Sequence, residues 1–190
     1  MKRVFVVGAS NMDICAKSSD PMREADSNIG VVSTACGGVG RNIAVALRRF
    51  GFEVSFLTAI ADDTFGHDIM TSLKADAVGS VAPFFTGDGL RKELRSGVYS
   101  YVLDSNGALL CGINDMGIND ELTPAFIGGY DNALKAADYV VFEANIPVET
   151  IGYLGSFARE GVKLAAEEVS RALPEQLDDV ILNLQKDDFV

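Results

Sequence analysis

The chain has little cysteine, a single histidine and no concentrated positive charge, and each shortage narrows what it can be. Cys15, Cys36 and Cys111 lie far apart with no paired spacing, so neither a zinc site nor a disulfide framework is written here. Such usage suits a reducing compartment, and a cytoplasmic location is expected. His67 is the only histidine, and no partner constellation can be named for it, so an exposed helix position is expected rather than a catalytic one. The formal net charge is −11, and the densest basic cluster, Arg91, Lys92 and Arg95, is interrupted by Glu93. Nucleic acid and anionic membrane surfaces are therefore poor partners. No stretch is long and apolar enough to cross a bilayer. The apolar run after Met1-Lys2-Arg3 is short and Asn11 and Asp13 follow at once, which argues against a signal peptide. Internal repeats, low-complexity segments and Pro-rich linkers are also missing, so residues 1–190 are expected to form one domain.

What is present supports a packed core. Of 190 residues, 48% are apolar and 23% charged, with no long polar tract, and a chain of this size can bury roughly 70% of its unfolded surface. The rest of the chain is organised around Cys36 to Gly51, where a glycine-rich turn opens into an amphipathic helix. Ile43, Leu47 and Phe50 recur as one apolar stripe, with Arg41, Arg48 and Arg49 off it. Gly37, Gly38 and Gly40 let another group approach the backbone N–H groups at the positive end of the helix dipole, and Asn42 adds an amide in the first turn. On these residues alone a site for an anion or for hydroxyl oxygens and a plain tight strand-to-helix connection stand as alternatives.

Val4 to Val7 reads as a strand buried on both faces of a parallel sheet, its carboxyl end delivering Asn11 and Asp13. The short β-like pieces ICAK and VVST, between Ile14 and Thr34, read as an excursion from that sheet. Val54 to Ile60 is a second buried strand, and Asp62-Asp63-Thr64 can cap a helix running to about Ala75. Val98 to Leu103 and Ala108 to Ile113 form a hairpin across Asp104-Ser105-Asn106-Gly107, a second β excursion. Tyr130 to Ala137 reads as helix and Tyr139 to Phe142 as a buried strand, with Pro147 in the first turn of a helix that Gly161 closes. Strands near Val162 to Ala165 and Val180 to Leu184 flank a helical piece around Pro174 to Leu177. The expected fold is α/β, a layered and mostly parallel sheet with a small β-stranded flap.

Gly38-Val39-Gly40 before a helix, with Asp62 at the end of the next strand, gives most of a dinucleotide-binding fingerprint. Ile43 stands where its third glycine belongs, and the strand before the turn is weak. The N-terminal arrangement as a whole fits something else. Gly8-Ala9-Ser10-Asn11-Met12-Asp13, then Gly37 to Ala44 on a helix ending at Gly51, then Ala61-Asp62-Asp63-Thr64-Phe65-Gly66, resemble the ribokinase-like (PfkB) carbohydrate kinases. Asn114 to Ile118, Leu122-Thr123-Pro124 and Glu143-Ala144-Asn145-Ile146-Pro147 extend the resemblance toward the pseudouridine kinase subgroup and across nearly the whole chain.

The resemblance implies ATP- and Mg²⁺-dependent phosphorylation of a ribosyl hydroxyl on a sugar or nucleoside. It implies that Asp13 accepts hydrogen bonds from ribose hydroxyls with Asn11 beside it. It further implies that Gly37, Gly38 and Asn42 complete the sugar pocket, and that Asn145 lies near the substrate. Residues of about 14–35 and 96–114 match the lid, which in several relatives forms a dimer contact, so a homodimer through the lid is expected. Ala61 replaces a usual glycine, Glu167-Glu168-Val169-Ser170 departs from an Asp-Pro-Val-Ser stretch, and Lys186 replaces a glutamate that serves metal and phosphates. Val190 precedes the family's Gly-Ala-Gly-Asp type motif, so no catalytic or metal residue is assigned, and no kinase turnover is expected from these 190 residues alone. A non-catalytic ribosyl-binding or dimerising lid module is the alternative from another class.

Overall fold

Alternation along the first strand, β1 (Arg3–Val7), divides the molecule into layers. Phe5 and Val7 enter one apolar cluster and Val4 and Val6 the other, all 3% exposed or less. The computed structural model describes residues 1–80, 84–85, 94–158 and 163–167. The pieces expected around Pro174 to Leu177 and Val180 to Leu184, with Gly161, Arg91, Lys92, Glu168 and Lys186, lie outside the described residues.

After β1 come β2 (Asn11–Ser18), β3 (Gly30–Gly37) and α1 (Val39–Arg49). Next are β4 (Glu53–Leu57), β5 (Ile60–Ala61), α2 (Thr64–Ala75), β6 (Gly79–Ser80) and β7 (Phe84–Phe85). The hairpin β8 (Gly97–Leu103) and β9 (Leu109–Asp115) leads through a 3₁₀ turn, Gly117–Glu121, into α3 (Pro124–Gly128) and α4 (Asp131–Ala136). The described chain closes with β10 (Tyr139–Glu143), α5 (Val148–Ala158) and β11 (Lys163–Glu167).

A five-stranded sheet of order β11-β10-β1-β4-β6 is parallel at every described pairing. On one side, Ala44 and Val45 of α1 and Ile69 and Leu73 of α2 pack on Val4, Val6, Val54 and Phe56. On the other, Ile127, Leu134, Ile151, Leu154 and Phe157 cover Phe5, Val7, Val140 and Phe142. Fully burying one such side chain contributes about 1.5–3 kcal/mol, so the two layers are what holds the sheet. A second sheet of order β3-β2-β8-β9 is the flap; β2 pairs with β3 antiparallel but with β8 parallel. Among the described residues no helix is long and apolar enough to cross a membrane.

Three expectations are corrected. The excursion at Ile14 to Thr34 is a pair of eight-residue strands starting at Asn11 and ending at Gly37, so Asn11 and Asp13 belong to the flap rather than to a loop after β1. The strand expected from Val54 to Ile60 breaks after Leu57, and Ile60–Ala61 pairs instead with β7. Phe50 is not part of the buried stripe: it is 81% exposed because it caps α1 beyond the sheet, and Gly40, Ala44 and Val45 form the buried face. The 3₁₀ turn and α3 are additions that the sequence patterns above do not include. The expected hairpin is present: in its turn Gly107 takes positive φ, and Asp104 Oδ1 accepts from the N–H groups of Asn106 and Ala108 at 2.8 Å each.

Candidate functional site

Three backbone segments meet at the carboxyl ends of β1 and β10, where ligands collect in open α/β sheets. The turn between β1 and β2 is pinned from every side. Gly8 N–H donates to the Leu57 carbonyl at 3.1 Å, the Ala9 carbonyl accepts from Arg41 N–H at 3.2 Å, and the buried hydroxyls of Ser10 and Thr58 hydrogen-bond at 2.9 Å. Ala9 N–H donates to Glu143 Oε1 at 2.7 Å. Glu143 is completely buried, and its Oε2 accepts from the backbone N–H and the Nδ2 of Asn145 at 2.7 and 2.6 Å. One carboxylate thus fixes the end of β10 to the turn that leads to Asn11.

Asn11 is buried at 4% exposure and donates from Nδ2 to Asp13 Oδ1 at 2.6 Å. Asn11 and Asp13 stand opposite Gly37 and Ala35 in the β2–β3 ladder. The Asp13 carboxylate lies directly over the Gly37 α-carbon: a Cβ there would come within 2.3 Å of Oδ2 and 2.9 Å of Oδ1. Glycine at 37 is therefore what leaves room for this carboxylate beside the start of α1. Gly38 is the N-cap residue, at φ 98°, and offers no side-chain acceptor to the first turn. The positive end of an eleven-residue helix so faces a half-buried carboxylate with an amide donor at its side. Such a set both accepts from and donates to vicinal hydroxyls.

Four of the residues singled out in the sequence, Asn11, Asp13, Gly37 and Gly38, are thereby brought together. Asn145 joins them through Glu143, although its own side chain is exposed. Asn42 sits exposed in the first turn of α1, where its Oδ1 accepts from Arg41 Nη1 at 3.2 Å. Arg41 itself is turned away, donating to Ser72 Oγ at 2.6 Å and pairing with Asp76 at 3.4 Å, and so ties α1 to α2. The sequence motif Glu143 to Pro147 assigns Glu143 no role of its own; the signal for it is an acidic residue closing the apolar run Val140 to Phe142. The turn at Gly38 follows a flap strand rather than a strand of the parallel sheet, so the βαβ unit of a dinucleotide site is not formed there.

A second carboxylate holds the root of the flap. Asp63 caps α2 through Oδ1, which accepts from Gly66 N–H and Ser96 Oγ at 2.7 Å each, while Oδ2 accepts from Ser96 N–H at 2.8 Å. Burial pushes the Asp63 pKa up, but the hydrogen bonds from Ser96 and Gly66 outweigh it and hold the carboxyl below its ordinary value. His67 is exposed, with Nε2 3.0 Å from Asp62 Oδ1. Arg95 pairs with Asp115 at 3.5 Å.

The described residues thus combine a layered, parallel α/β core, a glycine turn opening a helix, and a β flap carrying a carboxylate over that turn. The chain belongs to the pfkB family carbohydrate kinases, whose profile matches residues 1–186. It is 28% identical over 152 residues to pseudouridine kinase of Escherichia coli (strain K12), covering 80% of this chain and 47% of that protein. It is 28% identical to ribokinase of Bacillus subtilis (strain 168) over 154 residues, 80% of this chain and 50% of the relative. A carbohydrate kinase from Agrobacterium tumefaciens superposes with a TM-score of 0.81 at 27% identity, over 90% of this chain and 54% of that one. The chain thus spans about half the length of the relatives it matches.

Proposed function

We propose that this chain provides the acceptor side of a carbohydrate or nucleoside kinase of pseudouridine-kinase type, binding the ribosyl hydroxyls of its substrate at Asp13. The observation that carries this reading is the Asp13 carboxylate seated on Gly37 at the start of α1, with Asn11 Nδ2 at 2.6 Å. Asp13 accepts from sugar hydroxyls, Asn11 fixes its orientation, and the backbone around Gly37 and Gly38 shapes the floor. Asn42, exposed in the first turn of α1, and Asn145, after the end of β10, are the further polar groups this reading assigns to the substrate. The similarity to the Escherichia coli pseudouridine kinase supports the ribosyl choice. ATP with Mg²⁺ is the phosphoryl source that the family implies. Among the described residues no three His, Cys, Asp or Glu side chains gather as a metal set. What these residues do is hold and orient the attacking hydroxyl, the positioning part of phosphoryl transfer.

Calorimetric titration with pseudouridine and with ribose tests this. Asp13→Ala is expected to weaken both by about 1–3 kcal/mol, the cost of stranding a partner of a buried hydroxyl. Unchanged affinity in a folded Asp13→Ala protein would remove the proposed pocket.

The flap is also proposed to pair two copies of the chain. Its outer strands, β3 and β9, are its edges among the described residues, and Val31, Val32, Leu109 and Ile113 on them are 58–72% exposed. Apolar edges of this kind pair with another chain. Light scattering should therefore give a dimer mass, and Val32→Lys should shift it toward the monomer. A monodisperse monomer at high concentration counts against the pairing.

A further inference from the structure

Next to Asp13 the flap carries two aromatic rings that the hydroxyl-binding site does not use. In the β2–β8 ladder Tyr99 stands opposite Asp13 and Tyr101 opposite Cys15. Directly paired side chains of neighbouring strands leave the same face of a sheet. The alternate residues, Val98 and Ser100, lie on the other face, where with Asp63, Thr64 and Ile113 they border a separate cavity of about 500 Å³. The Tyr99 and Tyr101 rings are stacked, with centroids 5.2 Å apart and planes 25° apart. Both are only half-buried.

The neighbouring strand makes room for this pair. Tyr99 leans over Gly112, where a Cβ would stand 2.7 Å from the Tyr99 hydroxyl oxygen and 3.0 Å from its ring. Hydrogen bonding with Cys15 holds the Tyr101 phenol above its ordinary pKa, with the nearby Asp13 charge acting in the same direction, so the hydroxyl stays protonated at neutral pH. A carboxylate suited to sugar hydroxyls and an uncharged, flat, half-open π surface therefore lie side by side on one sheet face. A free pentose has no group for such a surface. A ribosyl ring bonded at C1′ to a planar heterocycle has one, and aromatic side chains take bases by stacking.

We infer that Tyr99 and Tyr101 form a shelf for a heteroaromatic base joined to the sugar held at Asp13, so that the site selects a nucleoside over a free pentose. The inference rests on the sugar-site reading and adds which ligand that site prefers. Tyr99 supplies the stacking face, and Tyr101 with Gly112 sets its tilt.

Titration of the full chain with pseudouridine and with ribose, in the native protein and in Tyr99→Leu, Tyr99→Phe and Asp13→Ala, tests it. The native chain should bind the nucleoside at least about 10-fold more tightly than ribose, the scale of one base–aromatic stack. Tyr99→Leu should remove most of that preference while leaving ribose affinity unchanged, and Tyr99→Phe should retain it. A native preference near one, or a preference that survives Tyr99→Leu, overturns the shelf. Equal weakening of both ligands in Tyr99→Leu also overturns it, because the ring would then merely support the flap. If Asp13→Ala changes neither ligand while Tyr99→Leu still weakens the nucleoside, the sugar reading fails and the base shelf stands. Should Tyr99→Leu not fold, the ring-proton resonances of Tyr99 in the native chain decide. They should shift on adding pseudouridine and stay in place with ribose, and no shift with pseudouridine overturns the inference.

Discussion

Glu143→Ala is expected to lower the unfolding free energy by about 3 kcal/mol or more, from the principle that each buried hydrogen-bonding group left without a partner costs about 1–3 kcal/mol. The native side chain is completely buried and accepts from Ala9 N–H, Asn145 N–H and Asn145 Nδ2. Alanine removes both acceptor oxygens and with them all three hydrogen bonds, and leaves a void beside Gly8, whose own missing Cβ is what gives the Glu143 side chain its space. Glu143→Gln keeps the volume but turns an amide donor toward donors, so it should fall between the two. The turn before Asn11 is held partly by this carboxylate, so ribosyl affinity should drop along with stability. Urea denaturation of the three proteins measures the first effect; a loss below about 1 kcal/mol in Glu143→Ala would mean that the carboxylate does not anchor the turn.

Gly38→Ala should be comparably damaging for a different reason. Gly38 has φ 98°, and a Cβ would stand 2.5 Å from Ser10 Cα and 2.6 Å from the Ala9 carbonyl oxygen, both backbone atoms that cannot swing aside. With ψ at 134° the residue lies outside the left-handed helical region, in extended positive-φ backbone that is essentially glycine's alone and costs an L-residue about 1–3 kcal/mol, and overpacking a tight contact adds about 1–3 kcal/mol. Gly51→Ala is the control. Gly51 has φ 87° with nothing within 4 Å of the new methyl, so it carries only the backbone cost. The gap between the two melting temperatures reports the contact between α1 and the β1–β2 turn together with the stricter backbone requirement at Gly38. Equal losses at both positions would show that this contact contributes nothing.

The layered core was legible because its signals are local. The apolar run at Val4 to Val7, the Asp63 cap with Gly66 three residues on, and the run at Tyr139 to Phe142 each announce an element within a few positions. Asp13, Asn11, Gly37 and Gly38 were legible through their resemblance to a family pattern. Their arrangement was not, since moving Asn11 and Asp13 from a loop into β2 depends on pairing with residues beyond a polar loop. Glu143 escaped for the same reason: its partner Ala9 lies 134 positions away. Tyr99 and Tyr101 looked like ordinary strand residues until a parallel pairing placed them beside Asp13. The missed α3 had a local signal. Thr123 accepts from Phe126 N–H and Pro124 opens the helix, the usual cap and first-position pair.

The flap is assembled from two stretches of chain that lie on either side of α1, β4 and α2, and a single parallel ladder, β2 with β8, sews them together. Each stretch can form its own antiparallel pair early, since those contacts are local. The ladder cannot close until the intervening core has brought Asn11 and Gly97 to the same place, because long-range contacts must first meet the entropy of closing their loop. Asp13 and Tyr99 stand opposite each other across that ladder, so the candidate site is completed by a late event in folding. A ligand that bridges the two residues has affinity only for chains that have finished, and in a refolding experiment it acts on the unfolding rate rather than on the rate of collapse.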